Sequence, residues 1–296
     1  MNSNEIVFID AEVDPSGKRV LDIGAVKENG VEFHSNSTAA FADFLRGSKY
    51  VCGHNILRHD LKYLGQEISE ANVELFIDTL YLSPLLFPKK PYHHLVKDDK
   101  LYTDELSNPL SDAKKARDLF YDEISAFKSL KQQMQQIYFS LLSDKIEFQH
   151  FFAYIGLGDK VKDPGSQIRE IFAGRICDNA RIEKMMEKYP IELAYALALI
   201  SIIEYDSITP PWVLKNFPRT ENVIRSLRSK KCPSCLYCDE SLDVTLALKR
   251  FFHYDGFRTY DGAPLQRSAV KAAVNGESIL AVFPTGGGKS IAFQLP

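Results

Sequence analysis

The chain has 296 residues, 45% of them apolar and 25% charged, with a formal net charge of −3; this is room for two compact domains and a further fragment. No apolar run approaches the length of a membrane span, no basic-then-apolar leader precedes the first strand, and five cysteines without a secretory signal point to a reducing, cytoplasmic setting. A net negative charge excludes a general attraction to nucleic acid, so phosphate binding has to come from local patches or from metal ions.

In chain order, EIVFIDAEVD at 5–14 is an apolar strand whose period of two delivers Asp10 and Glu12 to one face. LDIGAVKENGVEFHS at 21–35 reads as a hairpin turning at Asn29-Gly30. YVCGHNILRHDLKYL at 50–64 reads as strand, loop and helix start, carrying His54, Asn55 and Asp60. FIDTLYLSPLLFP at 76–88 places Asp78-Thr79 at a strand end, and PYHHL, with His93 and His94, reads as a short helix. LSDAKKARDLFYDEISAF at 110–127 is an amphipathic helix with Asp112 near its beginning and the basic run KKAR (114–117) behind it, where a substrate backbone could pass.

FIDAEVD, GHNILRHDLKYL and LSDAKKARDLF stand in the order and spacing of the three motifs of the DnaQ-like, or DEDD, 3′–5′ exonuclease family, which residues 5–125 resemble. The resemblance implies an RNase H-like α/β domain, a mixed sheet with flanking helices, in which Asp10, Glu12, Asp60 and Asp112 are catalytic and hold Mg²⁺ or Mn²⁺. Four carboxylates together repel, and hard divalent cations with oxygen ligands relieve that repulsion. Two such ions about 4 Å apart clamp the attacking water and the leaving 3′ oxygen of a phosphodiester. In the family Asp10 would bridge the ions, Glu12 and Asp112 would complete the first, and Asp60 would act around the second. The chain departs from the family at the water-activating base: the His position, five before Asp112, holds Ser107, and the Tyr position, four before it, holds Asn108. His93 or His94 reaches the site only if the intervening loop folds back. Two readings stay open, a slow exonuclease and a retained fold that binds DNA ends, or a partner, without cutting.

Residues 126–228 carry no chemical motif. FKSLKQQMQQIYFSLL and IELAYALALISIIEY have apolar residues at helical spacing, so this stretch is expected to be a helical domain or spacer. TPPWV at 209–213 breaks that pattern with Trp212 as packing, and RSLRSKK at 225–231 is a basic run of the kind usually found solvated. In CPSCLYCD, Cys232, Cys235 and Cys238 repeat at the spacing that lets thiolates converge on one ion, a candidate zinc site in a joint spanning 229–245. Zinc needs four ligands; His253, a residue beyond Pro296 or a bridging partner is left to supply the last.

The chain closes on PTGGGKSIAFQLP at 284–296. Thr285, Gly286, Gly287, Gly288, Lys289 and Ser290 have the character of a phosphate-binding loop: glycines whose N–H groups curl around a polyphosphate, a lysine for the terminal phosphates, a hydroxyl for Mg²⁺ at a helix start. SILAVF at 278–283 is expected to be the buried parallel strand before it. FFHYDGFR (251–258), PLQRSAV (264–270), this loop and FQLP resemble the start of a RecQ-family DNA helicase, in which the residue matching Gln266 reads adenine and those matching Phe257 and Arg258 flank the base. TYDGA at 259–263 lengthens the family's usual link. The resemblance implies an ATP-dependent helicase of DNA repair or recombination, acting on single strands or 3′ ends. Residues 246–296 are then the front of its ATPase domain, and the acidic strand motif that activates water does not occur by Pro296, so the chain as given is expected not to hydrolyse ATP.

Overall fold

The computed structural model describes residues 6–14, 16–17, 19–95, 108–202, 208–229, 232 and 234–295. It divides into two compact units, one of residues 1–164 with 202–217, the other of residues 165–201 with 218–296.

The first unit is an α/β structure built on a five-stranded mixed sheet of order β3-β2-β1-β4-β5. Its strands are β1 (Ile6–Val13), β2 (Val20–Lys27), β3 (Glu32–Ser35), β4 (Tyr50–Gly53) and β5 (Leu75–Asp78). β1, β2 and β3 run antiparallel, and β4 and β5 continue the sheet parallel to β1. The expected hairpin forms: Lys27 and Val31 close the turn, and Gly30 takes the left-handed φ of +85° that a side chain would disfavour. Helices α1 (Thr38–Leu45), α2 (Asp60–Glu70), α3 (Thr79–Leu86), α4 (Pro109–Ser129), α5 (Gln132–Leu142) and α6 (Gln149–Ile155) surround the sheet.

The alternation of β1 sorts its residues. Val7, Ile9 and Ala11 join Phe41, Leu45, Leu64 and Ile68 of α1 and α2 in one core. Phe8 faces the other way and meets Phe120 of α4 at 5.6 Å between ring centroids. Asp10 and Glu12 follow Phe8 at the same parity and so project on the α4 side. Phe127 of α4 stacks edge to face on Phe151 and Phe152 of α6, and Phe139 of α5 on Phe152, so α5 and α6 pack with α4.

The helical spacing of 127–142 holds, but the backbone breaks at Leu130–Lys131 and two helices result. PYHHL is not helical; His93 is held instead by a bond to Ser83 of α3 at 2.8 Å.

The second unit is helical, with α7 (Pro164–Ile171), α8 (Ile182–Lys188), α9 (Pro190–Ser201), α11 (Thr220–Arg228), α12 (Leu236–Ser241), α13 (Val244–Phe252), α14 (Leu265–Val274) and α15 (Lys289–Gln294). The short α10 (Pro211–Asn216) belongs to the first unit, where Trp212 packs edge-on against Tyr81 at 5.0 Å. Helix α9 is apolar all round and buried from Leu193 to Ile200, the core of its unit. Residues 278–283 do not form the expected strand: strand geometry is held by a ladder to a neighbour, and among the described residues none pairs with it. Leu280 and Val282 are accordingly 92% and 80% exposed. Among the described residues no helix is long and apolar enough to cross a membrane.

Candidate functional site

Three of the four acidic residues singled out in the sequence come together. Asp10 and Glu12 on β1 and Asp112 in the first turn of α4 offer carboxylate oxygens that all lie within 4.8 Å of one another. The feature that allows this is Gly24. It pairs with Asp10 across the β1–β2 ladder, and a Cβ there would fall on the backbone of Pro109 and Leu110. A bare backbone on β2 thus lets the N-terminus of α4 rest directly on the sheet beside Asp10. Asn108 caps this helix, its side chain accepting from Ser111 N–H at 3.2 Å, with Pro109 in the first turn.

Asp60 stands outside that trio but beside it. Its Oδ1 accepts from Ala11 N–H at 2.9 Å, between the two β1 carboxylates, and the residue is only 1% exposed. Burial raises its pKa, partly offset by its contact with His59, whose own pKa is raised by Asp60. The loop before Asp60 is organised by a residue with no assigned role in the sequence reading. Asp78 accepts from Asn55 N–H (2.8 Å), Leu57 N–H (3.1 Å) and, as N-cap of α3, Leu80 N–H (2.9 Å). Burial lifts its carboxyl to about 7 against these three donors. The cap was available as a signal, since an Asp between an apolar strand and an apolar helix is a common start. The two further bonds, across 23 and 21 residues, were not. His54 bonds Thr79 at 2.9 Å and is held neutral, its pKa lowered to about 4 mainly by burial.

Ser107 lies outside the described residues. Asn108 is spent on the helix cap. His93 is buried and bonded to Ser83 of α3 at 2.8 Å, with its pKa lowered to about 4 by burial. No histidine joins the carboxylate trio among the described residues. The basic run behind Asp112 is engaged by carboxylates: Lys114 with Glu32 at 2.8 Å, Lys115 with Asp112 at 3.7 Å, Arg117 with Asp118 at 3.0 Å.

In the second unit the glycine-rich loop bends at Gly286 and Gly288, both left-handed, and runs into α15 at Lys289. Thr285, Lys289 and Ser290 are exposed, and Lys289 borders a hollow of about 440 Å³ with Ala273, Ile279, Phe283 and Ala292. The upstream residues grip the loop by its carbonyls. Arg258 donates to Gly286 O at 2.6 Å, Tyr260 to Gly287 O, and Gln266 Nε2 to Gly288 O at 3.0 Å. Gln266 Oε1 in turn accepts from Arg258 N–H at 2.9 Å, and the residue is buried. The lengthened 259–263 link is therefore not slack, because its Tyr260 rests on the loop and against Phe283 at 5.1 Å.

The cysteines converge as their spacing suggests, on a partner the sequence reading missed. Cys232, Cys235 and Cys238 meet Cys177, from the corner between α7 and α8, with all four sulfurs within 4.8 Å of one another. His253 is not among them; it ends α13 in the left-handed conformation, exposed. Beside Cys177 and Cys232 lies a groove of about 540 Å³ with Arg181, Lys184 and Arg219 in its wall.

Among known proteins, no family model matches the chain and no solved structure matches it. The chain is 43% identical over 54 residues to a protein described as an ATP-dependent DNA helicase Q1 in Caenorhabditis elegans, covering 18% of this chain and 8% of that protein. To the ATP-dependent DNA helicase Q5 of rat and of mouse it is 42% and 44% identical over 59 residues, 20% of this chain and 6% of each relative. The chain thus spans a small fraction of the length of the curated relatives it matches, and the similarity supports a relation to ATP-dependent DNA helicases.

Proposed function

We propose that the first unit is a metal-dependent 3′–5′ exonuclease of the RNase H-like, DnaQ-like kind, joined to the front of an ATP-dependent RecQ-like DNA helicase that acts in DNA repair or recombination. The observation that carries the nuclease reading is the meeting of Asp10, Glu12 and Asp112 within 4.8 Å, from two elements far apart in sequence. An all-oxygen donor set of this kind fits Mg²⁺ or Mn²⁺, and Asp60, fixed on Ala11 N–H, stands ready to complete it. When bound, such an ion neutralises developing charge on a phosphate and lowers the pKa of water. The chain's own residues hold the carboxylates in place: Gly24 admits α4, Asn108 starts it, and Asp78 fixes the loop before Asp60.

A second reading is favoured by the same geometry. Asn108 and His93 are committed to structural bonds, so the base expected in the third motif is not supplied by either. Loss of a general base costs about 10²–10⁴ in rate. The unit is then a slow nuclease or, at the limit, a module that binds DNA ends for the helicase. For the second unit, the similarity to helicases of the Q type and the gripped glycine loop support ATP binding by Thr285 to Ser290 with Gln266 on the adenine side.

Degradation of a 5′-labelled single strand and of a recessed-3′ duplex, with Mg²⁺ and then Mn²⁺, tests the nuclease against Asp10→Ala. The expected result is a metal-dependent ladder shortening from the 3′ end and absent in the variant. No ladder with either ion, while the protein still binds the DNA, would assign the unit to binding alone. Lys289→Ala is expected to abolish binding of a fluorescent ATP analogue if the loop takes a polyphosphate.

A further inference from the structure

The four cysteines of the second unit form a cage. Cys235 Sγ stands 3.9 Å from Cys177 Sγ, and all four sulfurs lie within 4.8 Å of one another. A disulfide would bring two of them to about 2.0 Å. Four sulfurs around one ion at bonds of about 2.3 Å stand about 3.8 Å apart, the edge of a tetrahedron. Cys177, Cys235 and Cys238 are buried, and thiols are poor hydrogen-bond partners for one another, so four packed together gain little unless a soft cation joins them.

The surroundings serve thiolates. Cys238 N–H donates to Cys235 Sγ at 3.3 Å and Asn179 Nδ2 to Cys232 Sγ at 3.2 Å, the outer donors that orient and charge-balance metal-bound sulfur. Both sides of the cage are pinned by bonds of their own: Cys177 N–H to Leu227 O at 2.7 Å, Tyr237 OH to Arg228 O at 3.2 Å. Four protein ligands leave no open position, which marks a structural site and not a catalytic one. The compactness favours a single ion over a multi-iron cluster, whose cysteine ligands bind different irons and so spread apart.

We propose that Cys177, Cys232, Cys235 and Cys238 bind one structural zinc ion, which ties α12, and with it the segment leading to the phosphate loop, to the α7–α8 corner. The site is independent of the nuclease and helicase readings and stands if both fail.

The test is metal analysis of the full chain purified without chelator, alongside Cys177→Ser, Cys235→Ser, His253→Ala and Cys52→Ala. One zinc per chain is expected in the wild type, in His253→Ala and in Cys52→Ala, with loss of most of it in the two cage variants. Titration of the wild type with a mercurial should release that zinc in step with four thiols. Cobalt reconstitution should give the visible bands of a tetrahedral thiolate site, weakened in Cys177→Ser. A wild type that carries no zinc and takes up no cobalt overturns the proposal whether or not the variants fold. So does full zinc in Cys177→Ser, or an iron–sulfur chromophore in place of zinc.

Discussion

Gly24 shows how one missing side chain can set a site. Its substitution by alanine would force α4 off the sheet, and overpacking of this kind costs about 1–3 kcal/mol. Gly24→Ala should therefore lower the melting temperature and weaken divalent-ion binding together, read by calorimetry with and without Mn²⁺; loss of stability with ion affinity intact would separate the helix from the site. Glu123, on the buried side of α4, makes a different point. It is fully buried, neither carboxylate oxygen has a hydrogen-bond partner among the described residues, and burial followed by the nearby Asp78 raises its pKa well above the usual range. The folded state then holds this proton more tightly than the unfolded chain. Its contribution is fully present below about pH 4 and is lost as pH rises through the folded pKa. Glu123→Gln keeps the shape without the charge, so its melting temperature should exceed the wild type's at pH 8 and approach it at pH 4. An equal gap at both values would show that Glu123 does not titrate in this range. Asp78 titrates in both proteins but interacts with Glu123, so the difference between them reports the pair. None of this was legible in the sequence, where Gly24 is one of 16 glycines and Glu123 occupies a surface-like slot in an acidic stretch. The acidic trio was legible because its members stand at fixed offsets within local motifs.

At the scale of elements, what could be read was what the chain decides locally. The β1 strand, the hairpin at Asn29-Gly30 and the helix after Asn108 each carry their own periodicity, turn or cap. Helix α4 depends on its cap doubly, since the first turn it fixes carries Asp112. Asn108→Ala should cost about 1 kcal/mol of stability, and Asn108→Asp should restore it. If the first turn frays, nuclease activity, where present, should fall further in Asn108→Ala than in Asn108→Asp. The stretch at 278–283 failed as a strand for the opposite reason. Its apolar run is real, but a strand is a property of a pair, and no described partner is at hand. The fourth cysteine was missed on similar grounds: 58 residues separate Cys177 from Cys235, and no local spacing announces a ligand held in place by a bond from Cys177 N–H to Leu227 O of α11.

In the whole molecule the two units should answer to different ligands. Chelation by a strong zinc ligand is expected to lower the thermal transition of the helical unit and leave that of the sheet unit in place, while Mn²⁺ should raise only the latter. Two calorimetric transitions moving together under both treatments would show instead that the units melt as one. The path of the chain has its own consequence. Trp212 and Phe217, in the 208–217 segment of the sheet unit, lie on Tyr81, and the sequence on either side of that segment belongs to the helical unit. On the ribosome, therefore, the sheet unit cannot cover Tyr81 until residue 217 has emerged, and by then about a third of the helical unit is already outside, waiting for the rest. The two units are interleaved in time as they are in sequence, and no single cleavage or stop codon between residues 164 and 218 would release both whole.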